Sequence, residues 1–269
     1  MDLNGVQGIE ADLVSHSSLH DAAEGVDTFY SMASPMPGRD SEFEGLNSEG
    51  VENLLEVGRE IGIKTLVHLS CIDVYGFDVG DVDEGIQPRP AQGYQRSKLD
   101  ADRILQEFAD RNRSPRIVII RAARGLGSRD GTLATPLLRM MESGKVVLPK
   151  GGEMSFTHPR DMAQAMYRAA TNPAVPGGVY LVKSFDSTIL DVAAELAKAS
   201  DLPSSIRHKG LMSRSPLPPY TQEQLEASLR LKPQQSWKTL GYSPEYDLSS
   251  VCGEIASWYK REPWVTEET

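Results

Sequence analysis

The feature that most restricts the fold is the run Lys64-Thr-Leu-Val-His-Leu-Ser70, which is apolar at so many successive positions that it leaves no face for water. A strand of that kind is internal, as in a parallel sheet covered on both sides. Pro115-Arg-Ile-Val-Ile-Ile-Arg121 has the same character, and Gly178-Val-Tyr-Leu-Val-Lys183 reads as a further strand. Thr28 to Met32 is expected to be another buried strand, introduced by Gly25 at a helix end. Between these runs the apolar period changes to that of a helix. From Ser41 to Gly62 the residues Phe43, Leu46, Asn47, Gly50, Val51, Leu54, Leu55, Gly58 and Ile61 fall on one broad face. Gly50 and Gly58 on that face suit close packing. Thr132 to Ser143 and Leu190 to Ala199 also read as helices, while Pro35 and Pro37 enforce a loop. The class is α/β, and 269 residues suffice for one large domain or a domain with a smaller lobe.

Charge narrows the function. A formal net charge of −10 argues against nucleic acid or an anionic membrane as partner, since both reward clustered Lys and Arg. Two cysteines, Cys71 and Cys252, with no CxxC, give no disulfide framework or zinc ribbon. No apolar run has the ~18 residues of a membrane helix, and no secretory leader is read at the start, so the cytoplasm is the expected compartment. Asp78, Asp81, Asp83 and Glu84 lack calcium-loop spacing and read as a solvated loop. His16 and His20 share a helical face, but two residues are half a metal site, and no metal is expected.

The chemistry centres on Gly93-Tyr94-Gln95-Arg96-Ser97-Lys98. Positions i and i+4 share a helix face, and that face continues through Ala101, Leu105 and Phe108. A phenol and an ammonium therefore stand at one end of an apolar stripe. A free tyrosine ionises near pH ~10, and an adjacent cation favours its phenolate. Such a pair suits a general base for a hydroxyl proton.

With His68-Leu-Ser-Cys-Ile-Asp-Val-Tyr-Gly76 upstream of that helix, the chain resembles the extended short-chain dehydrogenases/reductases, the NAD(P)-dependent epimerases and dehydratases of nucleotide sugars and similar alcohols. The resemblance runs from about Asn4 onward. It implies that Tyr94 takes the substrate proton and that Lys98 lowers the tyrosine pKa and holds the cofactor ribose. Cys71 stands where the family carries a serine or threonine donating to the substrate oxygen; a thiol is a weaker donor. Ser70 is adjacent, and strand alternation points it to the opposite face.

Other site residues follow from the same resemblance. Asp12 and Leu13 match a strand end whose aspartate meets adenine, although an Asx turn explains Asp12 equally locally. Residues 4 to 13 are accordingly expected to form a short strand. Ser31, Ala33 and Ser34 fill the small-residue strand end beneath the cofactor, and Asn47 matches an asparagine near the active site or is simply a packed helix residue. Ala122 and Ala123 fall behind the nicotinamide, with Ala122 at a family proline. Arg124 replaces a family asparagine; it pairs with a substrate phosphate or carboxylate, or is a surface charge. Ser155-Phe-Thr-His158-Pro-Arg-Asp161 matches a segment that implies a substrate contact for His158, while Asp161 also suits a helix first turn.

The implied fold is a Rossmann-like doubly wound parallel sheet, N-terminally incomplete, with a smaller C-terminal substrate-binding lobe. Its boundaries are 1–126 for the dinucleotide-binding part, with 154–196 returning to it, and 127–153 with 197–269 for the lobe. The lobe carries Pro216, Pro218, Pro219, Trp237, Tyr242 and Trp258. The family's first strand, Gly-x-x-Gly-x-x-Gly turn and second strand have no counterpart, as if the chain were shortened at its start; that turn holds the pyrophosphate. NAD and NADP are both open as cofactor. The expected partners are a small-molecule substrate and, by resemblance, a second copy in a homodimer. The competing expectation is a non-catalytic pseudo-enzyme or binding module that kept the fold.

Overall fold

The computed structural model describes residues 5–34, 41–203, 206–208 and 217–261, with side chains left out for 41–45 and 206–208. Asn4, the loop expected at Pro35 and Pro37, the side chain of Phe43 and Pro216 lie outside the described residues. In chain order the elements are α1 (His16–Ala22), β1 (Thr28–Ser31), α2 (Ser41–Ile61), β2 (Thr65–Cys71), β3 (Gly80–Val82), α3 (Gly93–Arg111), β4 (Arg116–Ala122) and β5 (Arg124–Gly125). They continue as α4 (Ala134–Glu142), β6 (Val146–Leu148), β7 (Glu153–Thr157), α5 (Pro159–Thr171), β8 (Gly178–Val182), β9 (Phe185–Thr188) and α6 (Ile189–Ser200). The last are β10 (Ile206–His208), α7 (Pro219–Glu226), β11 (Leu229–Leu231), α8 (Gln234–Leu240) and α9 (Leu248–Tyr259). A 3-10 turn, Ile72–Tyr75, follows β2.

The long apolar runs form the sheet that the sequence demands, a four-stranded one of order β1-β2-β4-β8. β1 lies parallel to β2, with Thr28 opposite Thr65 and Ser31 opposite His68. A second sheet runs β3-β11-β7-β5, with β9 antiparallel to β7, and β6 pairs with β10 in parallel.

The chain divides into two compact units: residues 1–70, 90–120 and 169–179, and residues 71–89, 121–168 and 180–269. In the first unit Val51, Leu54 and Leu55 of α2, Ala101 and Leu105 of α3, and Leu66, Ile117 and Ile119 of the sheet share one core with Leu19 of α1. Arg116 closes its lower end by donating to the carbonyls of Ala170 and Val175. In the second unit α4, α6 and α9 enclose Leu137, Met141, Phe156, Val192, Leu196, Val251 and Ile255. Local signals set these helices: Thr188 caps α6 by accepting from the Asp191 amide at 3.1 Å, Asp247 and Ser250 form a capping box on α9, and Gly241 ends α8 at φ 61°.

Four expectations need correction. Residues 5–12 form no strand; among the described residues no strand lies beside them, and Val6 and Ile9 are exposed. A strand needs a ladder partner, and among the described residues the sheet ends at β1. For the same reason β1 is an edge and not a buried strand, with Tyr30 40% exposed. Leu46, assigned to the buried face of α2, is exposed beside buried Asn47. The acidic loop is not simply solvated: it contains β3, Asp81 pairs with Arg230 at 2.7 Å, and Glu84 accepts from the Ser236 amide at 2.8 Å. The two α2 glycines do serve close packing, since a Cβ on Gly58 would stand 2.7 Å from Ile63 and one on Gly50 would stand 3.1 Å from Leu13.

Candidate active site

Within the first unit the polar residues gather at the carboxyl ends of β1 and β2 and the first turns of α3. The Gln95 carboxamide accepts from the Ala91 and Gln92 amides at 2.7 and 3.2 Å, which fixes the start of α3 and so places Tyr94 in its first turn. Tyr94 is half-buried and Lys98, one turn on, is buried. The Lys98 ammonium donates to the Leu69 carbonyl at 2.9 Å. A chain of side-chain bonds runs beside them. Ser34 donates to Asn47 Oδ1 at 3.3 Å, Asn47 Nδ2 donates to Ser97 Oγ at 3.0 Å, and Ser97 donates to the Tyr94 carbonyl at 2.9 Å. The end of β1 is thereby tied to the turn that carries the tyrosine.

His68 and Ser70 alternate with Leu69 along β2, so they share the face on which Leu66 packs into the helix-covered core. His68 Nδ1 shares a hydrogen bond with Ser31 Oγ at 3.1 Å. Burial first, and the Lys98 ammonium second, hold the imidazole well below its ordinary pKa, so it is neutral near pH 7. His68 Nε2 and Ser70 Oγ are buried polar atoms with no hydrogen-bond partner. Asp12 forms the Asx turn, accepting from the Val14 amide at 3.1 Å, and the Leu13 carbonyl accepts from Asn53 at 2.9 Å.

The second unit contributes a separate cluster. Cys71 is half-buried, forms no disulfide and precedes the 3-10 turn. Two residues on, buried Asp73 accepts from Tyr220 at 2.8 Å and from Gln224 at 2.9 and 3.0 Å. Burial raises its carboxyl pKa against the hydrogen bonds from those two partners. Arg124 is not a surface charge: its guanidinium donates to Gln224 and, at 2.9 Å, to Thr132, and burial pulls its pKa down while Asp130 and Asp73 oppose that shift. Arg124 Nε has no partner. Arg121 donates to the Tyr75 hydroxyl at 3.0 Å with Tyr75 packed beneath it, and Ala122 and Ala123 are buried at the end of β4. Gly127 has its own cause, since a Cβ there would lie 2.7 Å from Pro159. His158 is buried, stacked on Tyr246 at 3.7 Å between ring centroids, with Nε2 3.5 Å from Glu254. Asp161, in the first turn of α5, accepts from Ser184 at 2.5 Å and from the Glu245 amide at 2.9 Å.

Sequence reasoning overlooked Ser97, the Ser31 to His68 bond, Asp73, Tyr220 and Gln224. For Ser97 a signal existed, a hydroxyl three residues after Tyr94 and able to bond back to its carbonyl. Asp73 meets residues about 150 positions away, which no local pattern announces.

For a dinucleotide, the fit differs between its two ends. A buried ammonium, unpartnered Ser70 Oγ and the small residues Ser31, Ala33 and Ser34 suit a ribose and a flat ring. Among the described residues no glycine-rich turn leads from a strand into a helix to cradle a pyrophosphate.

Known proteins agree with this architecture. The sterol-4-alpha-carboxylate 3-dehydrogenase, decarboxylating, of Candida albicans is 25% identical over 97% of this chain and 85% of its own length. Among solved structures, the dTDP-glucose 4,6-dehydratase of Bacillus anthracis in complex with NAD superposes with a TM-score of 0.78 at 18% identity, over 95% of this chain and 80% of that one. The UDP-glucuronic acid 4-epimerase of Bacillus cereus in complex with NAD does so with a TM-score of 0.78 at 22% identity, over 95% and 81%. These likenesses give the fold, an α/β architecture with a Rossmann-like parallel sheet. The model of the NAD dependent epimerase/dehydratase family matches residues 2–182, the stretch that holds Tyr94, Lys98 and Cys71, and the chain belongs to that family.

Proposed function

We propose that this protein is an NAD(P)-dependent oxidoreductase, epimerase or dehydratase acting on a hydroxyl of a nucleotide sugar or similar alcohol. The observation that carries the reading is buried Lys98, anchored to the Leu69 carbonyl one helical turn from Tyr94. A nicotinamide cofactor, once bound, would supply the hydride acceptor or donor for the alcohol carbon. Tyr94 removes the hydroxyl proton as its phenolate. Lys98 favours that phenolate by its charge and holds the cofactor ribose through its ammonium. Cys71 donates weakly to the substrate oxygen in the place of a hydroxyl, with Ser70 as its neighbour on the buried face. Ser31, Ala33, Ser34, Asn47, Ala122 and Ala123 shape the cofactor floor, and Asp12 with Leu13 meets the adenine end. Arg124, whose Nε is unpartnered, is a candidate for a substrate phosphate or carboxylate, and His158 is a second candidate for a substrate contact. The C-terminal residues 197–269 form most of the substrate-binding lobe.

The nucleotide sugars named for the two solved neighbours support the substrate class, and the sterol acid of the fungal relative marks an alternative alcohol. A second reading, a binding module without turnover, draws on one observation, the want of a pyrophosphate cradle among the described residues. The full product of the gene, assayed with UDP- and dTDP-sugars and either nicotinamide cofactor, separates the two. Turnover that depends on Tyr94 supports the enzyme; no turnover with any of them favours the module.

A further inference from the structure

We propose that His16, Glu56 and Glu60 form a surface site for one divalent transition cation of the zinc type, clamping α1 to α2. Glu56 and Glu60 stand at i and i+4 and share a face of α2. The loop before α1 is registered along that helix, because the Leu13 carbonyl accepts from Asn53 at 2.9 Å and Leu13 packs on Gly50, where a Cβ would stand 3.1 Å away. Ser15 caps α1, and the first residue of that helix, His16, is thereby delivered over the two carboxylates. His16 Nε2 and one oxygen of each glutamate all lie within 4.8 Å of one another.

Two further observations favour a cation over a plain ion pair. His16 Nε2 lies 3.3 Å from Glu60 Oε2, yet that nitrogen is a solvent-shielded atom with no hydrogen-bond partner. The two atoms are close without being aligned as donor and acceptor, an arrangement that a shared cation accounts for. Zinc with nitrogen and oxygen ligands at about 2.0–2.1 Å in a tetrahedron places neighbouring ligand atoms roughly 3.4 Å apart, close to that separation. The stacking of His16 on His20, with centroids 6.4 Å apart, holds the ring plane. Two carboxylates at i and i+4 also repel each other, and a divalent charge removes that cost. One imidazole with two carboxylates suits zinc, cobalt or nickel better than calcium or magnesium, which favour all-oxygen shells. Side-chain exposure of 39% for both His16 and Glu60 leaves the site open to an ion from solvent.

The test is calorimetric titration of the metal-free chain with zinc chloride near neutral pH. One zinc per chain at micromolar affinity is expected, weakened at least about tenfold by His16→Ala and by Glu60→Gln, with His20→Ala within about twofold of wild type. These partly exposed positions allow the variants to fold, which circular dichroism without metal checks. No binding by the wild-type chain, or unchanged affinity in His16→Ala, would overturn the proposal.

Discussion

The Lys98 ammonium donates to the Leu69 carbonyl across 2.9 Å, so the cation of the Tyr-x-x-x-Lys pair is pinned to β2 one residue before Ser70. A pinned charge beside a phenol has a kinetic signature. In the full product of the gene, if a further segment completes the cofactor site, Tyr94→Phe should lower turnover by about 10²-fold or more, the scale of general acid–base catalysis, with little change in cofactor affinity. Lys98→Met should move the acidic limb of the pH–rate profile for alcohol oxidation upward, toward the ~10 of a free phenol. Wild-type turnover in the phenylalanine variant would remove Tyr94 from the mechanism.

In the same completed protein, Cys71→Ser should keep or raise activity, because a hydroxyl donates better than a thiol from the same place. Steady-state kinetics beside a melting curve decide it. Lost activity in a variant that still folds would give the thiol a role of its own.

Acid should loosen the first unit through His68. Burial and Lys98 depress its folded pKa below 6.5, so the unfolded chain binds the proton more readily. Stability is therefore fully present above pH about 6.5 and is lost as the pH falls below it, with a slope of at most about 1.4 kcal/mol per pH unit from this group. His158 shifts in the same direction, chiefly through burial, whereas the raised carboxyl of Asp73 acts oppositely at lower pH. Urea unfolding of wild type and His68→Gln across this range should show a flatter dependence for the variant; equal slopes would count against the assignment.

Gly76→Ala should destabilise by about 3 kcal/mol. Gly76 has φ 84° and ψ −178°, and a Cβ there would lie 2.7 Å from the Arg89 carbonyl oxygen. A lowered urea midpoint with an unchanged m-value is the expected result.

The edge at β1 should make the purified chain self-associate and bind NAD(H) and NADP(H) poorly. Tyr30 on that strand is 40% exposed and Met32 just past it 58%, and an unpaired apolar edge is a template for further strands. Sedimentation should show association that Tyr30→Lys reduces. A monomer that binds either cofactor at micromolar affinity would mean another segment supplies the phosphate site.

What the sequence disclosed follows from periodicity. β2, β4 and β8 were legible as apolar runs, and α2 and α3 as long faces, so Tyr94 and Lys98 could be placed at the end of a buried stripe before any fold was known. Residues 5–12 misled because a strand is made by its neighbour and not by its own side chains. β3, β11 and β5, two or three residues each, are too short to show alternation. The Asp73, Tyr220, Gln224 and Arg124 cluster was hidden by distance along the chain, and His16 suggested half a metal site whose other ligands sit 40 residues on.

The chain visits the first unit in three stretches and the second in three, alternating, and so passes between them five times. Neither unit can be lifted out by subcloning, because each is assembled from three separated stretches and no one continuous segment contains either whole. A nick by a protease in one surface loop would leave two tangled fragments and release no folded half. Grafting the second unit of a relative onto this first one would require three coordinated exchanges, so the two are altered more readily by point substitution than by recombination.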